Sequence, residues 1–378
     1  MRPTTVTNAP QADAAPPTGR ARLLLRRIVP PPLRWARRRP AKAVVALVAA
    51  AFFLANVLAF VQAYTLTHFV QAGSMPRPDH LSRFGKLGVV LTGVRLGKPH
   101  NTTTPASLGL SYETVHYRGA DGTEYEAWHI PAGGPPWRHW GGPRGVCVMF
   151  HGYAGCKATV LREAEVVRRA GYDTFLVDFR GSGGSSGSST TVGYREADDV
   201  AEAVKYVRRN LHPTRLVIYG RSMGAAAALR AVALGKADPD AMVLESPFDR
   251  MLTTVAHRFD LVGVPAFPLA RLLVFWGGVQ QGYWAFANNP VEYARSVKCP
   301  TLMMRGGHDP FVRQREAESV FNNIAGTKQL VVFDRAVHEP CVAVDKARWS
   351  GRVTDFLLAT PKRQPKPVPA AALAHAGG

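Results

Sequence analysis

Six short stretches of the chain are apolar at nearly every position and rich in β-branched residues: GVCVMF (145–150), TFLVDF (174–179), LVIYG (216–220), AMVLES (241–246), TLMMRG (301–306) and QLVVFD (329–334). Patterns of helical period separate most of them, as in ATVLREAEVVRRAG (158–171) and YREADDVAEAVKYVRRN (194–210). Strands that are apolar on both faces and alternate with helices predict a parallel sheet covered on both sides. Ahead of them, YETVHYR (112–118) and EYEAWHI (124–130) flank GADGT (119–123), whose Asp-Gly pair predicts the turn of an antiparallel hairpin. Hairpin and βα units together predict an α/β domain over 110–360, built on a mostly parallel eight-stranded sheet with helices on both faces.

One interval breaks the rhythm. More than fifty residues separate AMVLES from TLMMRG, among them VPAFPLARLLVFWGGVQQGYWAFANNP (264–290). An insertion there falls at the carboxyl edge of the strands, where open α/β sheets hold their sites, and it predicts a small helical cap over about 250–298. Its aromatics, Phe259, Phe267, Phe275, Trp276, Tyr283, Trp284 and Phe286, are expected mostly to pack the cap onto the sheet, with some lining an apolar pocket or touching lipid.

A different pattern opens the chain. AVVALVAAAFFLANVLAFVQAY (43–64) runs for 22 residues without a charge, about 33 Å as a helix and enough to cross a bilayer's hydrocarbon core. Residues 1–42 hold ten Lys/Arg against Asp13 alone, so the positive-inside rule puts this basic, disordered segment in the cytoplasm and the remainder of the chain across the membrane. A single-pass anchor over 43–66 is the reading; a cleaved signal peptide ending at Val61-Gln62-Ala63 is the competitor. Residues 67–109 read as a connector and 361–378 as a disordered tail. The formal charge of +20 is concentrated at the termini, and no basic run is interleaved with aromatics, which argues against nucleic acid as a partner. The sequon Asn101-Thr102-Thr103 is of a kind common by chance.

The chemistry centres on LVIYGRSMGAAAALRA (216–231), where a strand gives way to a helix at Gly220-Arg221-Ser222-Met223-Gly224. Gly-x-Ser-x-Gly in that setting holds the serine on a strained turn, with its oxygen at a helix N-terminus that favours negative charge. A serine nucleophile needs a base, an acid to orient it and donors for the oxyanion. Asp309 follows TLMMRG, His338 follows QLVVFD, and the chain order Ser222…Asp309…His338 suits this architecture. The loop FHGYAG (150–155) offers the Tyr153 backbone N–H to join that of Met223 as the oxyanion hole.

FHGYAG, VDFRGSGGSSG (177–187), YGRSMGA (219–225), GGHDPFV (306–312) and VHEP (337–340) match, in order and spacing, the motifs of the α/β-hydrolase family, and the segment 110–360 resembles its serine-hydrolase branch with a small cap. The resemblance implies Ser222 as nucleophile, His338 as base and Asp309 as acid, with Glu245 as runner-up for the acid and Asp178 as a structural hydrogen-bond partner. It implies acyl transfer on a small-molecule or lipid-like carboxylic ester, with a peptidase, a thioesterase or a non-catalytic binding protein on the same fold as alternatives. No cofactor is expected, and no His/Cys/carboxylate spacing suggests a metal. Of the four cysteines, Cys147 and Cys299 read as buried small residues. Cys156 and Cys341 fall in loops at the catalytic edge, where an oxidising compartment would permit a disulfide.

Overall fold

The computed structural model describes residues 39–71, 93, 95–133, 142–261 and 263–360. The basic segment up to residue 38, the middle of the expected connector and the expected tail lie outside the described residues.

Helix α1 spans Pro40–Thr67 and contains the expected apolar span. It divides between two compact units, one ending at Asn56 and the other running from Val57. Within the first, its apolar side chains stand exposed, Phe53 at 70%, as lipid-facing side chains would. Within the second, its last turns are part of the globular body. Ala63 is buried, Gln280 donates to the Phe60 carbonyl at 2.8 Å, Tyr153 Oη donates to the Leu66 carbonyl at 2.5 Å, and Thr190 N–H donates to Thr67 O at 2.9 Å. The chain beyond is also tied in: Lys98 donates to the Ser185 carbonyl at 2.7 Å.

Strands β1 (Glu113–Arg118) and β2 (Glu124–Ile130) form the expected hairpin, with Gly122 at φ 83° in its turn. There follow β3 (Val146–Phe150), α2 (Leu161–Arg169), β4 (Asp173–Val177), α3 (Glu196–Asn210), β5 (Leu216–Arg221), α4 (Met223–Ala233) and β6 (Ala241–Glu245). Between β6 and the next strand lie α5 (Met251–Leu261), α6 (Leu269–Gln281) and the short α7 (Pro290–Tyr293). The described residues close with β7 (Thr301–Gly306), α8 (Gln314–Asn323), β8 (Lys328–Phe333), α9 (Cys341–Val344) and α10 (Lys346–Ala359). The sheet runs β1-β2-β4-β3-β5-β6-β7-β8. Strands β3 to β8 pair in parallel, and β2 meets β4 antiparallel.

The period of two along each strand divides the core. In β5, Leu216 and Ile218 face the layer of α3 and α4, where Ala225 to Ala228 are fully buried, while Val217 and Tyr219 face the layer of α2 and α10, centred on Trp349. Alanines at the start of α4 let that helix lie close to the sheet. The strand order reverses between β3 and β5, and open α/β sheets form their binding crevice beyond the carboxyl ends of the strands at such a point. The loops after β3 and β5 are therefore the place to look for chemistry.

Candidate active site

The turn between β5 and α4 leaves no room for side chains at its glycines. A Cβ on Gly220 would sit 2.7 Å from Ala225 N, and one on Gly224 would sit 2.6 Å from the carbonyl oxygens of Phe150 and His151. With both neighbours pressed in, Ser222 takes φ 51°, ψ −113°, outside the conformations an L-residue favours. Its own N–H is fixed to Glu245 O at 2.7 Å.

Opposite the serine, two loops are drawn together by glycines. A Cβ on Gly306, the last residue of β7, would strike Val337 O at 2.1 Å, and one on Gly307 would lie 2.6 Å from Asp334 O. That approach brings Asp309 and His338 within bonding distance. Ser222 Oγ lies 3.0 Å from His338 Nε2, and His338 Nδ1 lies 2.7 Å from Asp309 Oδ2. The other Asp309 oxygen accepts the N–H groups of Phe311 and Val312, each at 2.9 Å, so this fully buried carboxylate is held in one orientation. The His338 ring is a quarter exposed and rests on the Phe311 ring at 5.3 Å.

Tyr153 and Met223 come to the same place from β3 and β5. Gly152 packs within 3.6 Å of Ser222 Cβ by the position its own Cβ would take. The side chains of both residues are spent elsewhere, Tyr153 on Leu66 O and Met223 Sδ on Thr190 Oγ1 at 3.5 Å. His151 anchors this loop from below. Its Nδ1 donates to Gly152 O at 2.8 Å while Nε2 accepts from Phe179 N at 3.2 Å, and burial holds its pKa below the usual histidine value, keeping the ring neutral.

Glu245, the runner-up acid, faces the opposite side of the sheet. It accepts from Cys341 N at 2.9 Å and Trp349 Nε1 at 3.0 Å. Asp178 accepts from the Lys157 and Gly184 N–H groups, from Asn101 Nδ2 and from Lys157 Nζ. Burial alone would raise its pKa, but Lys157 and His151 bring it below the ordinary carboxylate value. The Asn101 side-chain amide of the sequon is thereby engaged, half-buried, with Asp178. The disulfide weighed for Cys156 and Cys341 is not present: all four cysteines are free. Cys156 Sγ donates instead to His100 O at 3.3 Å, and Cys341 is buried in the α10 layer.

Sequence reading missed Glu163. In the pattern of α2 it reads as a helical surface position, yet it is fully buried and neither carboxylate oxygen has a partner among the described residues. Burial, then the neighbouring Glu245, push its pKa up to about 7 from 4.5, against the pull of Arg221. A proton bound more tightly in the folded state contributes stability that is full below the unfolded pKa near 4.5 and is lost as pH rises through about 7. Thermal melts should show this: between pH 5 and 8 the parent loses roughly 5 °C more than Glu163→Gln. Parallel melting curves for the two proteins would contradict that assignment.

Behind Tyr153, under the cap, a narrow apolar pocket of about 80 Å³ is bounded by that tyrosine, the end of α1 (Ala63, Leu66) and the cap helices, and no acidic residue lines it. An open, charged depression of about 830 Å³ near Asp121, Arg180 and Lys236 contains none of the residues around Ser222.

A mostly parallel sheet of this order, with a serine turn at its switch point and histidine and aspartate on the following loops, has the α/β-hydrolase fold. The family described as serine aminopeptidase, S33, matches over residues 141–273. An uncharacterised protein of Mycobacterium tuberculosis is 27% identical over 336 residues, covering 87% of this chain and 98% of that protein. A lysophosphatidylserine lipase of Danio rerio is 25% identical, covering 64% and 66% respectively. Among solved structures, an esterase of Pyrococcus furiosus superposes with a TM-score of 0.58 at 25% identity, covering 69% of this chain and 97% of that one.

Proposed function

We propose that the protein is a membrane-anchored serine hydrolase of carboxylic esters, with Ser222 as nucleophile, His338 as general base, Asp309 as the orienting acid, and the N–H groups of Tyr153 and Met223 as the oxyanion hole. The observation that carries this reading is the continuous hydrogen-bonded line from Asp309 through His338 to a strained serine at the start of α4. His338 Nε2 takes the Ser222 proton as Oγ adds to the ester carbonyl, and the negative charge moves to the carbonyl oxygen. The protonated ring then gives that proton to the departing alcohol. Water, deprotonated by the same ring, frees the acid from the serine. Asp309 stabilises the imidazolium formed in each half-reaction and stays ionised.

Two features support a lipid-like substrate. The pocket behind Tyr153 is apolar and shares a wall with the end of the anchor helix. Cap side chains Phe267 and Trp284 stand 75% and 63% exposed, a position suited to contact with a bilayer. The anchor would hold the catalytic domain on the extracytoplasmic side.

An aminopeptidase is the second reading, favoured by the matching family's description. Such an enzyme must hold a substrate ammonium, and a pocket without a carboxylate on its wall speaks against it. Turnover of matched acyl groups decides: p-nitrophenyl butyrate should be cleaved with a kcat/KM at least 100-fold above that for butyryl p-nitroanilide and for alanyl p-nitroanilide, roughly the discrimination one well-placed group supplies. Faster cleavage of the alanyl anilide would replace the esterase reading with the peptidase one.

A further inference from the structure

The apolar pocket behind Tyr153 contains one charge, Arg258, that no carboxylate among the described residues answers. Arg258, on the inward side of α5, lines it together with Tyr153 and Thr254. Its Nη1 donates to Thr254 O at 2.7 Å and Thr254 Oγ1 at 3.2 Å, and its guanidinium lies 5.0 Å over the Phe311 ring. No carboxylate stands within ion-pair distance of it among the described residues. Acids on the neighbouring elements are engaged elsewhere: Asp260 with Arg313 at 2.7 Å, Glu316 with His257 at 3.0 Å and Asp309 with His338 at 2.7 Å. Burial pulls the Arg258 pKa below its usual value, and the only neighbour working against that is the Tyr153 phenol. Arg258 is half-buried, and a guanidinium partly withdrawn from water with no carboxylate opposite it is open to an anion.

Resting on the ester-hydrolase reading above, we infer that Arg258 receives an anionic group, a carboxylate or phosphate, carried by the substrate a few atoms from the scissile ester. The location fits. Tyr153 bounds the same pocket and supplies the N–H proposed for the carbonyl oxygen, and Phe311 is shared between Arg258 and the His338 ring. A substrate whose carbonyl sits against Tyr153 and whose one limb enters the pocket brings an anionic end to the guanidinium. Thr254 holds Nη1 and leaves the other edge of the guanidinium for a planar, two-point contact. Arg258 is thus a specificity-determining residue for anionic amphiphilic esters, while the bond-breaking chemistry stays with Ser222.

The test uses the full-length protein in nanodiscs and two matched pairs: p-nitrophenyl hexanoate against mono-p-nitrophenyl adipate, which places a carboxylate on the acyl limb, and 1-decanoylglycerol against its 3-phosphate, which places a phosphate on the leaving limb. The parent should favour the anionic member of at least one pair by about tenfold or more in kcat/KM, the worth of one hydrogen bond to a charged group. The favoured pair identifies which limb carries the charge. Arg258→Gln should lose that preference while hydrolysing the neutral member within about threefold of the parent, and Arg258→Lys should retain part of it. Equal use of anionic and neutral members by the parent, or an equal loss on both in Arg258→Gln, would overturn the inference.

Binding separates this proposal from the hydrolase reading, because it needs no turnover. Calorimetry with hexyl phosphate and hexanoate should show affinity for at least one anion falling about tenfold or more in Arg258→Gln. Unchanged affinity for both overturns the anion site even if Ser222 proves catalytic. A weakened affinity sustains it even if the esters are not cleaved.

Discussion

A Ser222→Ala protein is expected to cleave p-nitrophenyl butyrate on the order of 10⁵-fold more slowly than the parent, with KM nearly unchanged. The size follows from what is removed. Ser222 is held at φ 51° between two glycines that cannot carry a Cβ, so no neighbouring hydroxyl can take its place. His338 loses the atom 3.0 Å from Nε2 to which its proton traffic is directed. The pocket and the backbone donors of Tyr153 and Met223 are untouched, which is why binding survives and some rate above that in water remains. His338→Ala should fall by a similar factor, and the double variant should be little worse than either single one, because residues acting as one unit lose their effect together. Steady-state rates of the three variants check this. Additive losses would mean that the serine and histidine do not work on the same step.

Stability should depend most heavily on Lys157. Its ammonium is fully buried, 2.5 Å from Asp178 Oδ2 and 2.5 Å from Glu126 Oε1, and lies 4.5 Å from the Trp128 ring. Removing one member of a buried ionic group costs about 3–5 kcal/mol, because the charges left behind have no compensation. Lys157→Met should therefore lower the melting temperature by roughly 10 °C, given the size of the domain. Adding Asp178→Asn should return part of that loss, since the neutral amide no longer needs the cation. The structural reason for placing the cluster there is the loop between β4 and α3. Asp178 accepts from Gly184 N, and Gly183, at φ 50°, has no space for a Cβ against the Asp178 carboxylate. The same loop carries Ser188 and Ser189, which meet the chain just after α1. Differential scanning calorimetry on the single and double variants measures the effect. A Lys157→Met protein that melts with the parent would show that the buried charges relax to water.

The parallel strands were legible because burial on both faces leaves an unbroken apolar run, and observed bounds such as Lys328–Phe333 differ from the expected 329–334 by one residue. The serine turn was legible because its steric demand falls on residues close in sequence. Asp309 and His338 could be read because each follows its strand directly, and the structure brings them together through glycines that the sequence also shows. What could not be read depends on partners far apart in the chain. Nothing near Lys157 announces Glu126, 31 residues away, and nothing in a helical pattern distinguishes Glu163 or Arg258 from a surface charge. The weighed Cys156–Cys341 bond came from assigning both residues to one edge of the sheet. Loop direction, which sequence does not carry, sends Cys156 to His100 and Cys341 under α10. The docking of the last turns of α1 through Tyr153 and Gln280 is likewise invisible in a hydropathy pattern.

The most direct test of the account is covalent labelling of the full-length protein in membranes by a fluorophosphonate, followed by peptide mapping. One phosphonylated residue is expected, Ser222, with labelling abolished in Ser222→Ala and strongly slowed in His338→Ala. A folded parent that does not label, or an adduct mapped to any other residue, would contradict it and leave a binding protein on a hydrolase fold.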